Sequence, residues 1–333
     1  MFKRTLVPVV AALVLSASAC GGNDNGAASS SGDVTVALPF ASCLAWWPLY
    51  AAKDQGYFEA EGVTPKFEGL DGSGSAIQAT LAGKAQIAIS APDNYLAAAA
   101  NGAPLTGYYS VNTSQDFKVV TPADSGITSL ADLRGKTIGI SAPGGGDVTY
   151  AESLLKTGAN LSKGDYKELA VGDGGSAATA LKKGTIAAYS ASYFDEAIIK
   201  STGMQVRELT SSDYPSVVGL LMVSNSAWVK KNSKTVDGIG RALTEGTKWG
   251  LANPDKVLGI CDKVMPDETK DKGFAKSIIA TVGDLSDPGT TPYGEIDESA
   301  WATYRDLLAK IGIVPSGAAK VTVDNSHVAA WNK

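Results

Sequence analysis

Apolar positions along this chain fall into short runs that recur at a fixed offset. Val34-Thr35-Val36-Ala37-Leu38-Pro39 reads as a strand running into a loop. Lys136-Thr137-Ile138-Gly139-Ile140-Ser141-Ala142-Pro143 reads the same way about a hundred residues later. A helix-like segment follows each, Pro48 to Asp54 in the first half and Val148 to Thr157 in the second. A second strand then ends in a Gly-Ser turn, where Gly74-Ser75-Ala76 and Gly175-Ser176-Ala177 open short helices that stop at Gly83 and Gly184. Gln86 to Ser90 and Thr185 to Ser190 supply a further strand apiece. Each half is therefore strand–helix–strand–helix–strand. That order predicts an α/β fold of two similar lobes with mostly parallel sheets.

Between the halves, Ser129-Leu130-Ala131-Asp132 reads as a capping box and Gly135 as a stop, giving a short helix. Phe117 to Thr121 predicts a strand leading across to the second lobe, and Val217 to Val223 the strand that returns. Residues 33–121 and 218–333 then form lobe 1 and 122–217 lobe 2, with a hinge near Thr121 and Val217. Past the return strand the chain turns helical. Val236, Ile239 and Leu243 form one stripe, and Trp301, Tyr304, Leu307, Leu308 and Ile311 another, both read as core.

In open α/β sheets ligands bind beyond the carboxyl ends of the strands. Two facing lobes put two such rims across one cleft, so the repeat nominates the loops Pro39 to Trp47, Gly72 to Ser75 and Ser90 to Asp93 in lobe 1. Their counterparts in lobe 2 are Pro143 to Tyr150, Gly172 to Ser176 and Ser190 to Asp195. Candidate ligand-binding residues are Phe40, Trp46, Trp47, Gly74, Ser75, Ser90, Asp93, Gly145, Gly146, Asp147, Thr149, Tyr193 and Asp195. Ser75, Ser176 and Asp147 are expected as helix N-caps, with Ser75 also reaching ligand. Adjacent side chains point different ways, so one of Trp46 and Trp47 is expected in the cleft and the other in the core. None of these loops holds Lys or Arg. Rings beside carboxylates suit a ring-bearing, neutral or amine-carrying ligand, with Asp195 the expected partner of an amine.

The amino terminus stands apart from this pattern. Lys3 and Arg4, the apolar run Thr5 to Leu15 and Ala17-Ser18-Ala19 read as a signal peptide over residues 1–19. Cleavage before Cys20 exposes a cysteine for lipid, and the Gly/Ser/Asn-rich stretch to Gly32 reads as a flexible tether over residues 20–32. These features predict a lipid-anchored protein on the extracytoplasmic face of the cell membrane. Removing Lys3 and Arg4 from the 29 basic residues leaves 27 against 34 acidic ones. No basic cluster survives, which argues against nucleic acid as a partner. With Cys20 set aside, Cys43 and Cys261 are either a disulfide pair or two separate buried thiols. The sole histidine is His327 and there is no paired-cysteine motif, so neither a metal site nor a cofactor is expected.

Three segments resemble a known family: Gly56-Tyr57-Phe58-Glu59-Ala60-Glu61-Gly62, Leu81-Ala82-Gly83-Lys84-Ala85-Gln86-Ile87 and Ser129 through Lys136. In order and spacing they are similar to the nitrate/sulfonate/taurine and thiamine-pyrimidine-precursor binding proteins, over roughly Val34 to Ser226. The resemblance implies a type II periplasmic-binding-protein fold, closing by a hinge and delivering a small molecule to the transmembrane subunits of an ABC permease, as a monomer. The ligand classes it implies are sulfonate- or taurine-like molecules and aromatic or pyrimidine amines. An enzyme of the same fold is the main competitor, and it needs a reactive histidine that only His327 could supply. A ligand-sensing lipoprotein is a third reading.

Overall fold

The computed structural model describes residues 32–215 and 217–333. The expected signal peptide, Cys20 and the tether as far as Ser31 lie outside the described residues.

Ten strands make two five-stranded sheets. In the first, β1 (Asp33–Leu38) lies between β2 (Thr64–Gly69) and β3 (Ile87–Ser90), parallel to both. The second repeats the arrangement with β6 (Thr137–Ile140) between β7 (Lys167–Ala170) and β8 (Ala188–Ser192). Each sheet is then extended by antiparallel strands. β10 (Leu221–Asn225) pairs with β3 and with β4 (Leu105–Ser110), while β5 (Phe117–Pro122) pairs with β8 and with β9 (Val206–Leu209).

The strand Phe117–Pro122 belongs wholly to the second sheet, so the outward crossing falls between Ser110 and Phe117, ahead of the expected Thr121. The return falls between Leu209 and Leu221. The two crossings run side by side: Val111 N–H donates to Leu220 O at 2.8 Å. A Cβ on Gly219 would sit 2.3 Å from Asn112 O, so only glycine lets them approach this closely.

Helix starts differ from the sequence reading by a few residues. The helix Gly72–Leu81 is capped at Asp71, and Ser75 lies inside it with its hydroxyl donating to Asp71 O at 2.7 Å. Gly175–Lys182 begins before Ser176, with Gly174 at the cap. Gly146–Ala159 has Gly145 at its cap, and Asp147 sits in the first turn. The turn is already taken at Asp71-Gly72, Gly145 and Gly174, so the predicted polar side chain falls two to four positions past the cap. The capping box at Ser129 and Asp132 is present, around the 3-10 turn Leu130–Leu133.

The carboxyl-terminal helices complete the first lobe. Val236, Ile239 and Leu243 pack under β1 and β3, and Trp301, Tyr304 and Leu308 pack on the other side. Leu307 and Ile311, expected in that stripe, are only half-buried.

Candidate functional site

A cavity of about 500 Å³ lies between the two sheets' rims. The loops after β1 and β2 line it from one side, through Pro39, Phe40 and Leu70 to Ser73. The loops after β6, β7 and β8 line it from the other, through Ser141, Gly145 to Asp147, Gly172 to Gly175, Ser192, Phe194 and Asp195. This is where parallel strands of an α/β sheet deliver their ends. Phe117 joins them because β5 runs antiparallel and presents its first residue to this edge.

Of the predicted residues, Phe40, Gly145, Gly146, Asp147 and Asp195 stand in the cavity wall. Phe40 contacts Phe194 across the cleft, with ring centroids 5.7 Å apart. Trp46 backs Phe40 at 5.2 Å, and Phe274 backs Phe194 at 6.0 Å. Expecting one tryptophan in the cleft was wrong. Both are buried, at 3% and 1% exposure, and neither lines the cavity. The indole N–H of Trp46 donates to Phe40 O at 2.9 Å, and that of Trp47 to Ile279 O at 3.2 Å. Trp47 lies over Gly250, where a Cβ would come within 2.0 Å of its ring. A groove on a distant helix thus takes the Trp47 ring, and Trp46 packs behind Phe40.

Ser75 is exposed outside the cavity, and Ser90 is buried with its hydroxyl on Ala91 O at 2.9 Å. Gly74, Asp93, Thr149 and Tyr193 lie where the lobes meet instead of in the wall. A Cβ on Gly74 would stand 2.9 Å from Gly144 O, and Asn94 Nδ2 donates to that same oxygen at 3.0 Å. The Tyr193 hydroxyl donates to Ala45 O at 3.4 Å. Asp93 is packed beside Thr149, and burial pushes its carboxyl up to about 7.

Asp195 is neither a solvated carboxylate nor a free one. Its Oδ2 accepts from Ser192 N–H at 3.0 Å and from the Ser192 hydroxyl at 2.7 Å, while Oδ1 accepts from Gly174 N–H at 2.8 Å. It therefore caps the helix Tyr193–Ser201 and holds the Gly172–Gly175 loop, with burial pushing its carboxyl up. Gly174 needs φ +51°, and a side chain there would strike Ile198, so the loop admits glycine alone. Asp147 accepts from Ser141 N–H at 2.8 Å and from its hydroxyl at 2.7 Å. Burial raises it to about 6. Asp173 is raised to about 6 by partial removal from water, then by Asp195 and Asp71.

Sequence reasoning missed Phe117, Asp71 and Ile198 as wall residues, although it nominated the loops that carry Asp173 and Phe194. His327 lies elsewhere: its Nδ1 is 2.6 Å from Asp237 Oδ1, and its ring stacks on Trp331 at 5.9 Å. No group of three or more metal-binding side chains occurs among the described residues.

Two lobes joined by paired crossings, closing over an apolar and acidic cavity, define a solute-binding protein of the ABC-importer type. The family model described as NMT1/THI5 like matches residues 45–257, and the chain belongs to that family. It is 28% identical over 228 residues to the formylaminopyrimidine-binding protein of Halalkalibacterium halodurans, covering 65% of this chain and 68% of the relative. It is 25% identical over 258 residues to the riboflavin-binding protein RibY of Chloroflexus aurantiacus, covering 76% of this chain and 69% of the relative. Among solved structures, the alkanesulfonate-binding protein SsuA of Xanthomonas axonopodis pv. citri, bound to MOPS, superposes with a TM-score of 0.66 at 17% identity. That match covers 87% of this chain and 96% of SsuA.

Proposed function

We propose that this protein is the extracytoplasmic, lipid-anchored solute receptor of an ABC importer, catching a small ring-bearing organic molecule between its lobes. It hands that molecule to a permease and catalyses nothing. The observation that carries the reading is the cavity itself, walled by the strand-end loops of both sheets, with Phe40 and Phe194 meeting across it. Relatives named for binding a formylaminopyrimidine and riboflavin, both ring compounds, support a ring-bearing ligand. Native mass spectrometry of protein purified from its host should find a bound small molecule, and deleting the permease should abolish uptake of it. Chemical turnover of that molecule on the purified protein would instead favour an enzyme.

Residues 33–110 with 221–333 are proposed as lobe 1 and 117–209 as lobe 2; the boundary expected at Thr121 moves to the crossing after Ser110 because β5 belongs to the second sheet. Binding is expected to stabilise contacts such as Asn94 to Gly144 O and Tyr193 to Ala45 O, which span the lobes. Small-angle scattering should therefore show a smaller radius of gyration at ligand saturation. An unchanged radius would count against closure.

The anchor has its own test. Full-length protein expressed in its host should fractionate with membranes, and Cys20→Ala should release it. A variant that stays membrane-bound and uncleaved would remove the lipoprotein reading.

A further inference from the structure

Four helices point their amino ends at the cavity: Gly72–Leu81, Gly146–Ala159, Gly175–Lys182 and Tyr193–Ser201. Each such end carries about half a positive charge, which ordinarily makes a ready anion site. Here each one already has a carboxylate of its own. Asp71 is the cap of the first, Asp147 stands in the first turn of the second, Asp173 directly precedes the cap of the third, and Asp195 occupies the first turn of the fourth. All four line the cavity, and among the described residues no Lys, Arg or His does.

The balance follows from magnitudes. Four half-charges offset about two of the four carboxylates, leaving the wall negative by about two charges when all are ionised. The like charges act on one another: Asp195 disfavours ionisation of both Asp147 and Asp173, and Asp71 adds to the effect on Asp173. An incoming anion meets this negative field, and the cap N–H groups of Gly174 and Ser192 are already held by Asp195, at 2.8 and 3.0 Å. A cation relieves the repulsion, and the rings of Phe40, Phe117 and Phe194 in the same wall offer it aromatic partners.

Resting on the proposed solute-binding role of the cleft, we infer that its ligand is an organic cation, such as an aryl-bearing ammonium, and that sulfonates and other anions are excluded. Asp173 is the specificity-determining residue, because among the described residues its side chain makes no hydrogen bond that Asn would disrupt, and the residue is exposed. Asp147 and Asp195 also hold loops.

The test uses three probes of matched shape on the chain lacking residues 1–19: benzyltrimethylammonium, benzyl alcohol and benzenesulfonate. Calorimetric titration should rank the cation at least about tenfold above the alcohol, with no measurable sulfonate binding. Asp173→Asn should weaken the cation about fivefold, the factor for one screened charge at contact distance, and leave the alcohol unchanged. Sulfonate binding as tight as the cation's overturns the inference, as does an alcohol loss equal to the cation's in Asp173→Asn. Failure of all three probes overturns it too. The parent reading is judged separately, by whether host-purified protein carries a small molecule in native mass spectrometry, whatever that molecule's charge.

Discussion

Asp93→Asn is expected to stabilise the protein by about 3–4 kcal/mol at pH 8 and to change little at pH 4. Asp93 is 3% exposed, and its Oδ2 has no hydrogen-bond partner among the described residues. Burial pushes the carboxyl up to about 7; Asp147 and Asp116 push the same way, while the Thr149 hydroxyl only partly opposes them. Tyr214 and Tyr304 also feel its charge. An unfolded aspartate titrates near its ordinary value of 3.8. Below that value the side chain is protonated whether folded or not, and its burial is not penalised. As pH rises toward 7 the unfolded chain ionises freely while the folded one does not, so stability falls until the folded carboxyl ionises as well. Asparagine stays neutral throughout and escapes that loss. Urea unfolding of both proteins at pH 4, 6 and 8 measures it. A gain equal at pH 4 and pH 8, or a loss at pH 8, would contradict the account. Asp116, likewise raised to about 7 by burial, should leave the variant with a shallower slope of the same sign.

Replacing the disulfide, as Cys43→Ala with Cys261→Ala, should cost about 2–5 kcal/mol of stability. The bond joins residues 218 apart in sequence, with Cα atoms 5.3 Å apart, so it closes a very long loop and strongly restricts the unfolded chain. It ties the loop bearing Phe40 and Trp46 to the helix Pro254–Val264. The same loop is held a second time by Glu268, whose Oε2 accepts from Cys43 N–H at 2.8 Å and Leu44 N–H at 3.1 Å. Loosening it should therefore also weaken ligand binding, because Phe40 forms part of the cavity wall. Thermal unfolding with and without reductant, beside the double variant, reads the effect. Coincident midpoints for all three would show that the bond adds nothing.

Much of this architecture was legible because it is local and repeated. The strands β1, β3, β6 and β8 are apolar runs ended by Pro, Gly or Ser, and backbone pairing leaves such runs few alternatives. A motif repeated in the same order points to the same edge of each sheet, and so the cleft loops could be nominated before any coordinates. What failed was side-chain direction. Trp46 and Trp47 looked available because they sit in a cleft loop. Trp47's fate depends on Gly250 and Ile279, more than two hundred residues away, and on the room those positions leave, while Trp46 turns its indole N–H back onto Phe40 O. Ser75 and Ser176 misled because a serine after glycine resembles a cap, while the glycine turn had already begun the helix. Phe117 escaped notice because its strand comes from the crossing segment and meets the cleft with its first residue.

By itself, then, the sequence determined the two α/β lobes, the loops between them, the acidic and cation-free character of those loops, and the family. Periodicity, turn chemistry and residue type are properties of neighbouring positions, and they survive without tertiary context. Only the tertiary structure decided which rings face the cavity, that Asp195 and Asp147 hold backbone N–H groups while lining the wall, and that Asp93 is sealed where the lobes meet. It also brought each of four helix ends beside its own carboxylate at one cavity. These are contacts between segments far apart in the chain, set by the volume and polarity that each leaves for the others, and local pattern carries no record of them.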